Sequence, residues 1–417
     1  MNDHFRINRR EFIGTSAGAL AGALAASSGA AAAVPPSDQV NLGIIGPGSR
    51  GSALMRAFLR VPGVKFRALC DVYEPRLAAA RKITGEDTPG FADYRRLLEA
   101  KDLDAIVIAT PLSFHAAHVT DSLESGRHVY GEKDQAKTVA ECDKVVHTVR
   151  RTGKLYQVGL QYHYAPWYQE GLRQIRAGKI GQVTQIYAYW HRNNNWRRAV
   201  PDPKDPKLER LFNWRMYKEF SGGLLAELGT HHIHLANQVF GDVPESVIGA
   251  GGIDYWKDGR EVADNVQVVY RYPGGRTLFF SAITTNRLEG AQIKVYGTGG
   301  TIVFTQADGM SYYEPAQGAN SAVPQELVVE RGVTTTASFR AEKPYGGQGT
   351  PLPVPEDVRG NADYLACASF IDCVRNNKKP GADEMWGWIS GVAVALGNEA
   401  IESGQRIVFA EHVKKPA

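Results

Sequence analysis

The residues best suited to hold a ligand form a glycine-rich turn near the start of the chain. Residues 41–51 read NLGIIGPGSRG, an apolar strand running into a Gly-x-Gly-x-x-Gly pattern that opens an apolar-periodic helix. In a dinucleotide-binding fold, Gly46 permits the tight turn, Gly48 lets the backbone approach a pyrophosphate, and Gly51 lets helix and strand pack closely. Unpaired N–H groups at the start of the helix would bind the phosphates. The turn therefore predicts a dinucleotide site; the alternative is a structural turn without a nucleotide.

An acidic residue stands where the ribose of such a nucleotide would lie. Asp71 ends the second predicted strand, Val64–Val72, twenty residues past Gly51, and a carboxylate there can accept both ribose hydroxyls. Because it would also repel a 2′-phosphate, we expect NAD rather than NADP. Arg50 and Arg76 keep NADP open, since either could reach a phosphate.

Three further residues have types and positions suited to oxidising an alcohol. Lys133 follows the fourth predicted strand, and such sheets bind ligands at the carboxyl ends of their strands. Glu227 and His231 are four residues apart on a predicted helix and therefore share a face. Oxidation needs a base for the hydroxyl proton, which suits histidine, and an ammonium group stabilises the developing alkoxide. The alternative is a solvated lysine and a structural histidine.

The elements that must position these residues alternate between strand and helix up to about residue 160. Strands are predicted at Val40–Ile45, Val64–Val72, Leu103–Thr110, from His128 and at Leu155–Leu160, with helices near 75–84, 115–125 and 139–151. This alternation predicts an α/β fold with a doubly wound parallel sheet. We expect a Rossmann domain over residues 34–160.

The pattern changes after Gln161. A helix is predicted near 166–177, a strand at Val183–Trp190, a polar stretch to about 220, a helix at 223–239, strands at 246–252, 264–272, 276–285, 291–297 and 300–304, an extended surface segment at 306–358, and helices near 361–376 and 384–403. Closely spaced strands predict an α+β domain with a mainly antiparallel open sheet. We expect it to span residues 161–417, with its final helices packing towards the first domain.

Three motifs resemble those of the glucose–fructose oxidoreductase/inositol dehydrogenase (Gfo/Idh/MocA) family, and the resemblance covers nearly the whole chain after residue 33. They are TPLSFH at 110–115, EKD at 132–134 and GGLLAELGTH at 222–231, similar to the family's Thr-Pro-x-x-x-His, Glu-Lys-Pro and Gly-Gly-x-x-x-Asp-x-x-x-His. The resemblance implies a nicotinamide-dependent sugar or polyol enzyme. In it, His231 is the general base, Lys133 its electrostatic and hydrogen-bonding partner, and Glu227 an orienting or substrate-binding carboxylate.

The glycine turn and the resemblance together define a set of expected cofactor-binding residues: Gly46, Gly48, Ser49, Arg50, Gly51, Asp71, Thr110, Pro111, His115, Glu132, Lys133 and Gln161. The chain departs from the family pattern at Asp134, where proline is usual, so the fixed φ of proline is lost. A carboxylate beside Lys133 also favours an electrostatic role for that lysine over proton exchange. Glu227 replaces the usual aspartate and His234 the usual acidic residue, so their substrate contacts cannot be carried over.

The segment WHRNNNWRR at 190–198 combines hydrogen-bond donors with aromatic rings. Such a mixture suits a sugar, whose hydroxyls need hydrogen bonds and whose C–H faces stack on rings. The expected substrate-binding residues are Tyr162, His163, Arg192, Asn193, Trp196, Arg197 and His234. The alternative is an ordered surface loop at a subunit contact.

Composition and charge restrict the other classes of function. The net charge of +4, about +3 after removal of residues 1–33, is too small to indicate nucleic acid or an anionic membrane as partner. Glu227 with His231, His232 and His234 has the spacing of metal ligands, but a catalytic histidine fits the motif better and we expect no metal. The four cysteines have no paired spacing and are expected to be buried free thiols.

The first 33 residues resemble an export signal. Arg9 and Arg10 form a twin-arginine pattern before a weakly apolar Gly/Ala-rich stretch, and Ala31–Ala33 offers a cleavage site. The stretch is a poor transmembrane helix, although a membrane anchor is the alternative. We therefore expect export through the twin-arginine machinery to the periplasm or beyond, without a stable anchor. Because this pathway carries folded proteins and free NAD is scarce outside the cytoplasm, we expect NAD to be tightly bound.

Three functions remain open from the sequence. The leading one is an exported oxidoreductase that transfers hydride between a secondary hydroxyl of a sugar or glycoside and NAD. A second is a glycosidase that oxidises transiently, eliminates and reduces back, and a third is a non-enzymatic NAD-binding sensor. A homodimer or homotetramer is expected because relatives pair through the open sheet.

Overall fold

The computed structural model describes residues 35, 38–313, 327–330, 333–336, 348–355, 361–414 and 416. The proposed export signal, and most of the segment between 314 and 347, lie outside the described residues. None of the helices that the structure describes combines the length and apolar character needed to cross a membrane.

The first half of the chain forms a six-stranded parallel sheet in the order β3-β2-β1-β4-β5-β6. Its elements are β1 Val40–Ile45, α1 Ser49–Leu59, β2 Val64–Cys70, α2 Glu74–Thr84, β3 Gly90–Phe91, α3 Tyr94–Leu98, β4 Ala105–Ile108, α4 His115–Glu124, β5 His128–Glu132, α5 Val139–Thr152 and β6 Tyr156–Gly159. The strand order reverses between β1 and β4, and this is where open α/β sheets bind ligands. The predicted doubly wound sheet is confirmed.

Local sequence signals account for where several helices begin and end. Thr138 and Glu141 form a reciprocal capping box at the start of α5, and Gly153 ends that helix in the left-handed conformation. β4 is shorter than the apolar run 103–110 suggests, because the chain leaves the sheet at Ala109 to form the edge of the site.

The second half builds a nine-stranded sheet in the order β16-β13-β12-β11-β7-β10-β9-β8-β17. Its elements are α6 Pro166–Arg176, β7 Val183–His191, α7 Pro206–Phe212, a π-helical turn Leu225–Gly229, α8 Thr230–Phe240, β8 Ser246–Gly252, β9 Asn265–Arg271, β10 Thr277–Ile283, β11 Ala291–Gly297, β12 Gly300–Thr305, β13 Gly309–Tyr313, β14 Leu327–Glu330, β15 Val333–Thr336, β16 Thr350–Pro351, α9 Ala362–Asn376, α10 Glu384–Ser403, β17 Ile407–Val408 and α11 Phe409–His412. Only β7 and β10 pair in parallel, so the sheet is mainly antiparallel as predicted.

The structure differs from the sequence prediction in three places. The polar stretch before 220 contains α7, which Asp205 caps. The helix predicted at 223–239 divides into the π-helical turn and α8. The segment 306–358 contributes β13 and β16 to the large sheet, whereas β14 and β15 pair separately; short strands among turn-forming residues carry little periodicity.

The last two long helices pack across both halves of the molecule. α9 packs on α1 and β1 of the parallel sheet, whereas α10 contacts both α5 and α8. All four cysteines are buried free thiols, as predicted.

Candidate active site

A cavity of about 1000 Å³ lies at the carboxyl ends of the parallel strands, between that sheet and the second half of the chain. Its volume is at the upper end of the usual range for ligand pockets. Fifteen of the predicted site residues line it: Gly46, Gly48, Ser49, Arg50, Asp71, Thr110, Pro111, His115, Glu132, Lys133, Gln161, Arg192, Trp196, Glu227 and His231. The structure thus gathers at one cavity residues that are up to 185 positions apart in the sequence.

The glycine turn forms one wall of the cavity. Gly46 has φ +87°, and a Cβ there would lie 2.8 Å from the carbonyl oxygen of Ala109. A Cβ on Gly51 would lie 2.2 Å from the Gly46 oxygen, so Gly51 lies beneath the turn rather than on the cavity wall. A Cβ on Gly48 would meet no atom within 4 Å. The turn therefore leaves open space over Gly48, where a phosphate would approach.

The end of the cavity where the sequence predicts a ribose holds a carboxylate, Asp71, with the cation Arg76 near it. Asp71 is buried and its Oδ1 accepts a hydrogen bond from the backbone N–H of Tyr73 at 2.9 Å. Burial raises the pKa of Asp71, although the Tyr73 hydrogen bond and Arg76 oppose the rise. Arg76 Nη1 lies 3.6 Å from Asp71 Oδ1. Arg50 instead donates hydrogen bonds to Glu132 and Asp363 at 2.8–3.0 Å and does not contact Asp71.

Lys133 points from the end of β5 into the π-helical turn. Its Nζ donates hydrogen bonds to the carbonyl oxygens of Ala226 at 2.8 Å and Glu227 at 2.9 Å. Since an ammonium group has three N–H donors, one remains for a ligand in the cavity. π-helical turns occur frequently at functional sites, and here the turn supplies both acceptors that orient the lysine.

Asp134 does not pair with Lys133 through its carboxylate. Its side chain is buried, and Oδ1 lies within hydrogen-bond distance of the Thr230 hydroxyl, whose oxygen is also 2.8 Å from the backbone carbonyl oxygen of Ala226. Burial raises the pKa of Asp134 to about 7, against the opposing charge of Lys133. Asp134 Oδ2 has no partner among the described residues. The carboxyl is therefore partly protonated near neutral pH, which weakens the expected electrostatic effect on Lys133.

His231 is buried at the cavity wall. Only 4% of the residue is exposed, and Nδ1 has no hydrogen-bond partner in the part of the chain that the structure describes. Burial and the charge of Lys133 hold the pKa of His231 well below its usual value. The ring packs against Tyr162, with centroids 4.6 Å apart. A neutral imidazole of this kind can accept a proton.

Glu227 shares the cavity wall with His231 and is paired with an arginine. Its Oε2 accepts a hydrogen bond from Arg215 Nε at 2.7 Å. Burial alone would raise the pKa of Glu227, but Arg215 and Lys133 together lower it. Glu227 is therefore an ionised carboxylate whose charge is balanced by two cations.

Two of the predicted cofactor residues brace the loops around the site. The buried His115 bridges two loops: its Nδ1 lies 2.6 Å from the backbone carbonyl oxygen of Asp134, and its Nε2 lies 2.9 Å from the backbone carbonyl oxygen of Thr110. The Thr110 hydroxyl lies 3.1 Å from His118 Nδ1. The loops that follow β4 and β5 are thereby held together.

Several predicted substrate residues do not line the cavity. His163 and His234 are buried and lie 3.1 Å apart, Nδ1 to Nε2, with the Gln238 amide nitrogen against both. Asn193 pairs through its backbone with Thr285. Tyr162 reaches the site only through its contact with His231.

Arg197 is also directed away from the cavity. It is held in an ion-paired network by Glu209 and by Asp258, the latter at 3.0 Å. In the cluster of histidines near His231, Nδ1 of His232 lies 3.2 Å from the backbone carbonyl oxygen of Leu228. Within the described ranges, no three His, Cys, Asp or Glu side chains are grouped as metal ligands.

Several residues that line the cavity were not among the predicted site residues, including Trp190, Arg198, Phe212 and Arg215. Trp190 and Arg198 lie in the segment that was singled out, but nothing in the sequence distinguishes Arg198, in the cavity wall, from its neighbour Arg197. The residues NWR at 213–215 match no known motif, and the sequence does not show that Arg215 pairs with Glu227.

The residues present fit a nicotinamide dinucleotide. The space over Gly48 can admit a pyrophosphate, and Asp71 stands at the ribose position. Two buried polar atoms of the cavity wall, His231 Nδ1 and Gln161 Oε1, have no partner among the described residues, as expected where a ligand supplies the missing hydrogen bonds.

Comparison with known families agrees with this fit. Residues 40–160 match the family model described as "Oxidoreductase family, NAD-binding Rossmann fold", and residues 168–303 match "GFO/IDH/MocA C-terminal domain". The chain therefore belongs to the GFO/IDH/MocA family of NAD-binding oxidoreductases. The predictions of the family, of NAD as cofactor and of an oxidoreductase class of enzyme are confirmed at this level.

Among individual relatives, a levoglucosan dehydrogenase of Pseudarthrobacter phenanthrenivorans is 25% identical over 396 residues, 87% of this chain and 95% of that protein. A glycosyl hydrolase family 109 protein of Shewanella pealeana is 29% identical over 238 residues. That match spans about half of either protein, 51% of each.

Solved structures show the same fold. An aldose-aldose oxidoreductase from Caulobacter crescentus, in complex with glycerol, superposes with a TM-score of 0.68 at 18% identity, covering 89% of this chain and 100% of that one. A levoglucosan dehydrogenase in complex with NADH gives the same TM-score and identity, covering 89% and 99%.

Proposed function

We propose that this protein is an exported oxidoreductase that transfers hydride between a secondary hydroxyl of a cyclic sugar or glycoside and a tightly bound NAD. The observation that carries the proposal is the pair formed by Lys133 and His231. One is an oriented ammonium group with an N–H to spare, the other a neutral buried imidazole, and both face the cavity that begins at the glycine turn.

His231 and Lys133 have different roles in oxidising the substrate hydroxyl. A bound nicotinamide would supply the acceptor for the hydride that leaves the carbon carrying the hydroxyl. His231 takes the hydroxyl proton, because its lowered pKa keeps it unprotonated at neutral pH. The remaining N–H of Lys133 stabilises the developing alkoxide. Glu227, fixed by Arg215, is placed to orient a second hydroxyl of the substrate.

A carbohydrate substrate agrees with the wall of the cavity next to these residues. Trp190, Arg192 and Trp196 line it, with the Arg192 guanidinium 5.5 Å and 5.3 Å from the two indole rings. Aromatic faces and fixed donors in alternation suit a ring with C–H faces and hydroxyls. The names of the sugar dehydrogenase and aldose oxidoreductase relatives point the same way.

A second candidate is an NAD-dependent glycosidase, favoured by the similarity to glycosyl hydrolase family 109 proteins. It would use the same first step, followed by elimination of the aglycone, addition of water and return of the hydride. A non-enzymatic NAD-binding sensor is the third, but it would have no use for Lys133 and His231 poised in one cavity.

Export and self-association are part of the proposal. Arg9 and Arg10 support the twin-arginine pathway and a periplasmic or external location. The outer face of the large sheet carries a half-buried aromatic group, in which Tyr187 packs on Phe279 and Tyr296 at 5.5 and 5.7 Å. A second copy of this chain would cover it, giving a homodimer or, with a further contact, a homotetramer.

The experiment starts from the protein purified from the exported fraction. Mass spectrometry after denaturation should release NAD, and the native protein should show a nicotinamide absorbance change with a fitting glycoside. Product analysis then separates the candidates, because a glycosidase releases free sugar without net change of redox state. Failure of glycosides, free aldoses and cyclitols to reduce the NAD or release a product would overturn the carbohydrate assignment.

A further inference from the structure

A segment from the second half of the chain forms the wall of the cavity that faces the glycine turn. We call residues 192–213, which run from the end of β7 through α7, the crossing segment. It contacts the parallel-sheet half in two places. Arg198 Nη1 donates a hydrogen bond to Ser49 Oγ at 3.1 Å, and Phe212 packs on Tyr73 with ring centroids 5.4 Å apart.

The first contact lies at the phosphate end of the site. Ser49 is the first residue of α1 and directly follows Gly48, so it borders the open space over that glycine. The backbone N–H groups of this turn are the donors that would bind a pyrophosphate. Because the guanidinium of Arg198 is hydrogen bonded to Ser49, it lies next to the expected position of the phosphates.

The charge environment of Arg198 differs from that of its neighbour. Arg197 is neutralised by Glu209 and Asp258, whereas Arg198 has no carboxylate within ion-pair distance among the described residues. Burial and the charges of Arg215 and Arg76 lower the pKa of Arg198, against the opposing charge of Glu227. An arginine held near other cations, without an acidic partner, is suited to an anionic ligand.

We propose that Arg198 is a phosphate-binding residue of this protein, which donates to the pyrophosphate of bound NAD from the side opposite the glycine turn. The planar guanidinium can make paired hydrogen bonds to phosphate oxygens. Bound in this way, the dinucleotide is held between the two halves of the chain. This placement would slow release of the cofactor, a point that rests on the tightly bound NAD of the proposed function.

The test measures nucleotide binding and is independent of any sugar. NADH release is followed by fluorescence after excess NAD is added to the loaded protein, and the affinities for ADP-ribose and adenosine are measured by calorimetry. Arg198→Ala should speed NADH release and weaken ADP-ribose about 10- to 100-fold, the range for a charge-assisted hydrogen bond. Adenosine, which lacks phosphate, should bind as to the wild type. Arg198→Lys should recover part of the loss.

Two variants separate this role from a structural one. Lys204→Ala removes an exposed cation from the same segment and should change neither release nor affinity. Ser49→Ala removes the hydrogen bond between Arg198 and Ser49. If Ser49→Ala alone weakens ADP-ribose as much as Arg198→Ala does, and the double variant is no weaker, Arg198 acts only through Ser49 and the proposal fails. Unchanged NADH release in a folded Arg198→Ala variant, or an equal loss of adenosine binding, would also overturn it, whatever the fate of the proposed reaction.

Discussion

Asp134, which occupies the position where the family usually has proline, should make the stability of the protein depend on pH. The pKa of its buried carboxyl is raised by burial from 3.8 to about 7. Between these values the folded state keeps a proton that the unfolded state has lost. The free energy of unfolding must therefore fall as pH rises through this window.

The expected size follows from the shift. Each pKa unit corresponds to about 1.4 kcal/mol, so the window from pH 5 to pH 8 should contain a loss of roughly 3 kcal/mol from this group. Asp134→Asn carries no titratable proton and can still hydrogen bond with Thr230. The stability of the variant relative to the wild type should accordingly rise by roughly 3 kcal/mol between pH 5 and pH 8.

Urea unfolding followed by tryptophan fluorescence, with NAD at saturating concentration throughout, measures this difference. Asp102→Asn, which removes an exposed loop carboxyl, controls for the change in net charge and should run parallel to the wild type. If the difference between Asp134→Asn and the wild type stays constant from pH 5 to pH 8, Asp134 does not hold a proton in the folded state and the reasoning is refuted.

Three further predictions concern catalysis, cofactor choice and assembly. Lys133→Ala and His231→Gln should each lower turnover ~10²–10⁴-fold with NAD still bound. The control His232→Gln changes the neighbouring buried histidine, and its folded fraction should keep most of the wild-type activity. Near-wild-type rates in His231→Gln would exclude His231 as the base. For the wild type, oxidation should fall only as pH drops through the lowered pKa of His231, a limb that His231→Gln should lack. Asp71→Ala should weaken NAD and reduce discrimination against NADP in calorimetric titrations, and unaltered discrimination would place ribose recognition elsewhere. Phe279→Asp should give a monomeric mass in light scattering at micromolar concentration if a second copy covers the outer face of the sheet, and a wild type that is itself monomeric would count against the proposed assembly.

The sequence determined the features that depend on short-range spacing. Apolar runs alternating with helical periods predicted the parallel sheet and the strands that follow it. A strand buried on both faces has a continuous apolar run, and a strand buried on one face has alternating apolar and polar residues, so both kinds can be recognised in the sequence. The glycine turn with Asp71 predicted the nucleotide site for the same reason. Lys133 and His231 were predicted from motifs, which specify residue types near strand and helix ends.

Tertiary structure decided which of the many polar side chains near these motifs reach the cavity. Arg197 and Arg198 are adjacent and chemically alike, yet Arg197 is ion paired with Glu209 and Asp258, whereas Arg198 borders the glycine turn. His234 is one turn from His231 but faces His163 in the core. Such outcomes depend on which distant charges and surfaces meet on folding, and the range of an electrostatic or packing contact is set by distance in space rather than along the chain.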